Sequence, residues 1–292
     1  MFRLLTWAAT HDMQLGIFAK TFARPTVEEI FDAVAAHGLR CVQFNFASAG
    51  LPSLPDQIDL TLLDRIHRAA SERGISIAAV SGTFNMIHPD PARRREGLQR
   101  LDVVAAACSR LGTEIVTLCT GTRDPKDMWK RHPDNDSPAA WSDLLVTLTA
   151  ALTTAESHGV TLGVEPETGN IIDSARQARR LLDELKSPRL KIIMDAANLF
   201  HPGELPRMLE ILDDTFELLG RDIVLAHAKE LGADGHAGHL ALGAGVLDWG
   251  RYLSRLRQAG FNGPLIMHGF GERDAAISTA FLRGKIGVAE SK

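Results

Sequence analysis

A chain of 292 residues, 45% hydrophobic and 23% charged, can bury one large core and fits a single globular domain. Its formal net charge of −4, with Lys and Arg interspersed among Asp and Glu, offers no basic surface for nucleic acid and favours a small soluble substrate. Cys41, Cys108 and Cys119 are odd in number and lack CxxC spacing, which argues against a disulfide framework or a zinc-thiolate knuckle and for a reducing cytoplasm.

In chain order, the N-terminal stretch Leu4 to Ala9 is too short for a signal h-region, and no later run approaches the roughly 18 apolar residues of a membrane span. A first strand around Gln14 to Phe18 leads to Pro25 and to Thr26, with Glu29 three residues on as a capping box, and the helix stops at Gly38. The same unit recurs. CVQFNF is followed by a helix ending near Gly74, ISIAAVSG by one opening at Pro91 and ending near Gly112, and EIVTLCTG by one opening near Pro138 and ending near Gly159. A glycine past each helix end supplies the left-handed stop. Apolar β-runs fall near 14–18, 40–46, 75–81, 114–120, 160–165, 190–195, 223–227 and 264–268.

Near-continuous apolar strands indicate burial on both faces, as a parallel sheet between helices requires. Eight of them predict an α/β fold, a closed (β/α)8 barrel of the TIM type, forming a single domain over residues 1–292. No GxGxxG opens a helix after the first strand, which removes the usual dinucleotide signature. The longest irregular stretch, Gly121 to Pro138, follows the fourth strand and reads either as a lid or as a solvated insertion.

The last four strands carry the chemistry. GVTLGVE ends on Glu165, RLKIIMD on Asp195, DIVLAH on His227 and GPLIMH on His268, at intervals of 30, 32 and 41 residues. A strand with its crossover helix takes about 30 residues or more, so the four stand at the carboxyl ends of successive strands, on the face where barrel active sites lie. Singly, a strand-end Asp often caps the next helix and a buried His is commonly a core group. Together, unpaired buried charges on four consecutive strands are costly unless a metal compensates them. The set predicts one divalent metal ion, and carboxylate and imidazole without thiolate suit Mn, Zn, Co or Mg. Such an ion would polarise a carbonyl and its neighbouring hydroxyl and stabilise an enediolate, with Glu165 as the base. Lys229 would share the side of His227 if the strand continues and hold a substrate oxygen, or else pair with Glu230 or Glu167.

LGVEPET, MDAANLF, HAKE, HLALGAGVLDW and GPLIMH, with NMIHPDPARRREGLQRL and VTLCTGT earlier, resemble the xylose isomerase-like barrels grouped as sugar phosphate isomerases and epimerases. The resemblance implies one divalent metal on Glu165, Asp195, His227 and His268, and a carbohydrate or polyol substrate met by His88, Asn198, Lys229 and His239. The implied activity is isomerase or epimerase, on a free or phosphorylated sugar or related polyol. One position departs from the pattern: where most members carry a metal-binding glutamate that serves ketose 3-epimerases as second acid/base, this chain has His268. An imidazole bound to metal replaces that proton carrier poorly, which gives weight to one-base isomerisation or to β-elimination, as in the keto-inositol dehydratases of the family. The abasic-site endonucleases of the superfamily need three metals and further histidines, whereas Cys119 or Thr120 and Asn198 stand at the corresponding places here. A non-catalytic sugar-binding barrel is the remaining alternative. No nucleic-acid or membrane partner is expected, and a homo-oligomer is left open.

Overall fold

The computed structural model describes residues 13–287; the Leu4 to Ala9 stretch lies outside them. Eight strands, β1 (Gln14–Phe18), β2 (Cys41–Phe44), β3 (Ser76–Ser81), β4 (Ile115–Cys119), β5 (Thr161–Glu165), β6 (Leu190–Asp195), β7 (Ile223–Ala228) and β8 (Pro264–Met267), form a closed barrel in sequence order. All pairings are parallel, and β1 closes on β8 with Gln14 beside Pro264 and Ile17 beside Met267. Around it run α1 (Val27–Ala36), α2 (Leu60–Glu72), α3 (Pro91–Leu111), α4 (Pro138–His158), α5 (Ala175–Leu185), α6 (Met208–Leu219), α7 (Trp249–Gln258) and α8 (Ala275–Gly287). The expected (β/α)8 barrel is what the chain forms.

Local chemistry sets the element ends. Thr26 caps α1 by accepting from the Glu29 amide, Asp90 and Ser137 cap α3 and α4 ahead of Pro91 and Pro138, and Asp59 caps α2. Gly112 and Gly159 end α3 and α4 with φ of 74° and 71°, a conformation a Cβ disfavours. Strand β2 stops two residues short of the apolar run because the Asn45 side chain accepts from the Ala47 amide and starts a 3-10 turn. Similarly, His268 lies one residue past β8, although its amide still donates to Ala228 O at 3.0 Å.

The main core lies between barrel and helices, where the outward side chains of the strands meet the helix faces. A smaller, separate cluster of Phe18, Cys41, Ala79, Ile193, Leu225 and Ile266 fills the bore. Successive side chains on a strand alternate in direction, so the residue two further on from each of these tends to form the next layer up. Cys41 leads to Gln43, Ile193 to Asp195, Leu225 to His227 and Ile266 to His268. The apolar plug thereby lifts a polar layer to the carboxyl-terminal mouth. Register shifts occur between β2 and β3 at Val42/Gln43 and between β6 and β7 at Ile192/Ile193, beneath Gln43 and His227. Such bulges re-aim side chains near sites. No helix among the described residues is long and apolar enough to cross a membrane.

Candidate functional site

Asp195 and His227 are direct register partners on β6 and β7, and His268 follows at the end of β8. Ligand atoms of these three lie within 4.8 Å of one another. His268 Nε2 is 3.1 Å from Asp195 Oδ2, and the two imidazole rings meet at 4.4 Å. Glu165 joins from β5: its Oε2 lies 3.4 Å from His227 Nδ1, and Asp195 Oδ2 lies 3.9 Å from the same nitrogen. Neither geometry makes a hydrogen bond, and His227 Nδ1 is buried with no partner. A buried polar atom without a partner is rare and asks for an explanation. Two carboxylates and two imidazoles around an unpartnered ring nitrogen fit a borderline divalent cation.

Electrostatics keeps the carboxylates in ligand form. Burial opposes the charge of Asp195, but Lys229 first and His268 next hold it far below the usual carboxylate range. Glu165 is likewise lowered, the facing His227 imidazole outweighing burial. Burial and the neighbouring His227 push His268 down to about 4, so its imidazole is neutral and able to ligate. Cys119, beside Glu165 in register, is raised well above a normal thiol by burial and remains a poor metal ligand.

Lys229 pairs with neither Glu230 nor Glu167. Its Nζ lies 3.0 Å from Asp195 Oδ2 and donates to Asn198 Oδ1 at 2.5 Å. Because an ammonium only donates, the Asn198 carbonyl must face it, and the amide NH2 then donates to Glu165 Oε1 at 2.6 Å. Lys229 and Asn198 thus form a relay that fixes one Glu165 oxygen while the other faces His227. Burial opposes the ammonium, but Asp195, Glu165 and Glu167 raise its pKa and it stays charged.

Glu165, Asn198, His227, Lys229 and His268 floor a cavity of about 670 Å³. Its walls include Phe18 from β1, Ser81 and Thr117 from β3 and β4, Glu167 just past β5, and His239 from the β7–α7 loop. His239 has a φ of 67°, uncommon outside glycine, and its amide donates to Gly269 O beside it. The loop is shaped by Glu230, fully buried, whose carboxylate accepts from the amides of Leu231, Gly243 and Leu247 and from the Trp249 indole. His88 is placed apart from the cavity. Its Nδ1 accepts from the Asp90 amide and its Nε2 donates to Pro125 O, so it braces the start of the Gly121–Pro138 loop.

That loop carries Met128 and Trp129 into the cavity wall. It is firmly pinned: Asn135 accepts from Thr122 and Arg123, Asn85 clasps the Thr122 backbone, Arg123 pairs with Asp143, and Arg131 pairs with Asp136 and Asp173. A Cβ on Gly169 would come 2.2 Å from Trp129 O, so the loop rests directly on the β5–α5 turn. The loop therefore forms a packed wall of the cavity in this structure.

Two polar groups stood out less in the sequence than their positions warrant. Gln43 interrupts an apolar run and reads as noise, yet it is buried and bonds His227 across the bore at 2.8 Å. Glu167 entered the sequence reading only as a partner for Lys229; it lines the cavity, and burial, then Glu165, push it up to about 7. Its signal was available, since residues two apart on a strand continuation share a face.

Residues 31–285 match the family model described as xylose isomerase-like TIM barrel, and the chain belongs to that family. The same architecture is found in a 3-keto-D-glucoside 4-epimerase from E. coli in apo form, at 18% identity and a TM-score of 0.73 over 94% of this chain and 100% of that one. A D-tagatose 3-epimerase-like protein superposes with a TM-score of 0.73 at 15% identity, covering 95% and 98% of the two chains. A D-allulose 3-epimerase from Methylomonas sp., in complex with D-allulose, gives 0.71 at 15%, covering 94% and 97%. At these identities the likeness establishes the fold.

Proposed function

We propose that the chain is a divalent-metal-dependent isomerase or epimerase of a sugar, sugar phosphate or related polyol. The observation that carries this reading is the buried, partnerless Nδ1 of His227, facing Glu165 and Asp195 with His268 alongside, on the floor of a cavity sized for a small ligand. Similarity in fold to proteins named as sugar epimerases, one of them holding D-allulose, supports the substrate class. Glu165, Asp195, His227 and His268 would hold the ion, which when bound supplies Lewis-acid polarisation of a substrate carbonyl and its neighbouring hydroxyl.

The residues of the chain do the rest. Glu165 is held ionised against burial by the positive charge around it, Lys229 included, and oriented by Asn198, so it accepts a proton from the carbon beside the carbonyl. Lys229 anchors Asn198, neutralises Asp195 and presents positive charge to a developing oxyanion. Phe18, packed on both imidazoles at 5.9 and 5.4 Å, and Trp129 give apolar faces for the C–H side of a sugar ring. His239 and Glu167 offer polar contacts for hydroxyls.

A second reading, a dehydratase acting on a keto-inositol-like substrate, is favoured by one observation. His268 stands at the place of a carboxylate and its Nε2 is occupied by Asp195, which removes the second proton carrier that two-base epimerisation uses. Incubating the Mn-loaded protein in D2O with ketoses, keto-sugars and keto-inositols separates the readings. Deuterium in an intact carbon skeleton supports isomerase or epimerase chemistry; loss of water supports the dehydratase; neither, across the panel, refutes both.

A further inference from the structure

Gln43 sits in the middle of β2 and is 1% exposed, on the far side of the bore from β7. Its Oε1 lies 2.8 Å from His227 Nε2, and its Nε2 lies 2.8 Å from Thr117 Oγ1 and 3.2 Å from Ser81 Oγ. Counting protons fixes the amide. With the NH2 toward the two hydroxyls, both amide protons have acceptors. Turned over, the NH2 would face a single ring nitrogen, leaving one buried proton without an acceptor, a loss on the order of 1–3 kcal/mol. The carbonyl therefore points at His227 and accepts, so the ring carries its proton on Nε2. With Nε2–H committed to Gln43, Nδ1 is the nitrogen that offers a lone pair whenever the ring is neutral, and that is the atom buried without a partner between Glu165 and Asp195.

We infer that Gln43 is a positioning residue that sets the tautomer of His227, so that Nδ1 is the nitrogen presented to the metal. The inference rests on the metal reading above and adds to it which nitrogen binds and what holds it there. Ser81 and Thr117 complete the device: they occupy the amide protons and stop Gln43 from turning. The bond spans 184 residues in sequence and joins strands separated in the barrel by β1 and β8. Outer groups that fix a ligand histidine are commonly worth 10- to 100-fold in metal affinity.

The test compares the parent with Gln43→Leu, which removes the acceptor, and Gln43→Glu, which restores one that the Ser81 and Thr117 hydroxyls can donate to. Zinc affinity is measured by calorimetry, and 15N-histidine spectra are recorded at pH 8 with and without zinc. Gln43→Leu is expected to bind zinc on the order of 10- to 100-fold more weakly, with Gln43→Glu recovering to within a few-fold, and zinc-loaded parent is expected to show His227 protonated on Nε2 and metal-bound at Nδ1. Parent-like zinc affinity in Gln43→Leu, failure of Gln43→Glu to recover, or zinc on Nε2 overturns the assignment. A parent that takes up no metal refutes the metal site instead, and the metal-free spectrum then decides the tautomer: a bare Nδ1 upholds the role of Gln43, a protonated Nδ1 overturns it.

Discussion

Replacing Lys229 with Met keeps most of the side-chain volume and removes the ammonium that lies 3.0 Å from Asp195 Oδ2, with 11% of the Lys side chain exposed. At an effective dielectric of 20 the attraction over that distance is about 5 kcal/mol, part of which is offset by burying the ammonium. Breaking a buried pair from one side typically destabilises by about 3–5 kcal/mol, because the partner charge is left uncompensated. Here the uncompensated charge is Asp195, with Glu165 close by. At roughly 2–4 °C per kcal/mol for a chain of this size, the metal-free variant should melt on the order of 10 °C below the metal-free parent. A divalent cation replaces the missing positive charge, so the variant should gain more stability from Mn than the parent does. Calorimetric melting in chelator and in excess Mn checks both parts. A chelated variant within about 1 kcal/mol of the parent, or equal stabilisation of both proteins by Mn, refutes the charge balance described for this site.

Glu165→Gln should lower kcat by about a hundredfold or more while substrate binding survives in part, since the amide still offers an oxygen but takes no proton; steady-state kinetics with near-normal kcat would remove Glu165 as the base. His268→Ala should weaken Mn binding in calorimetry and His268→Glu should retain it, because carboxylate and imidazole both suit such an ion; unchanged affinity in the alanine variant would show that His268 is no ligand. In metal-free protein His268 should titrate near 4, read from its ring protons by NMR. The unfolded chain takes up that proton from about pH 6.5 downward, so this group's contribution to stability is whole above 6.5 and is lost as pH falls toward 4. Tyr252→Phe removes the hydroxyl shared by the Met194 and His227 carbonyls, each at 2.9 Å, and should destabilise by about 1–2 kcal/mol in denaturant titration; a neutral effect would show that these carbonyls do not depend on it.

The barrel was legible because its signals are local. Thr26, Pro91 and Pro138 open helices, Gly112 and Gly159 close them, and eight apolar runs lie between. The clustering of the candidate residues was legible because strand ends converge in any closed barrel, so four residues distant in sequence become neighbours by topology alone. What could not be read is whatever depends on partners across the bore or on the course of a loop. Gln43 acquires meaning only beside His227, Ser81 and Thr117. The relay from Lys229 through Asn198 to Glu165 needs three-dimensional distances to distinguish it from the pairs with Glu230 or Glu167 that the sequence offers Lys229. His88 looks like a substrate contact in a linear motif, but its ring is consumed by Asp90 and Pro125. Likewise, the composition of Gly121 to Pro138 gives no hint that Asn85, Asn135 and Asp143 hold the segment in place.

Glu230 closes the loop after β7 at its base. Donors at Leu231, Gly243, Leu247 and Trp249 all converge on one carboxylate, so the stretch between Gly232 and Leu242 is closed at its base like a ring on a clasp. The ring is tied from within as well, the Gly238 amide donating to Glu230 O, the His239 amide to Gly269 O and the Leu242 amide to Ser278 Oγ. On the proposed function, hydroxyl contacts from His239 would then lie on a different piece of chain from the proton chemistry of Glu165. The corollary is a weak point: a change at Trp249 leaves a fully buried carboxylate one donor short at the base of the loop that carries His239.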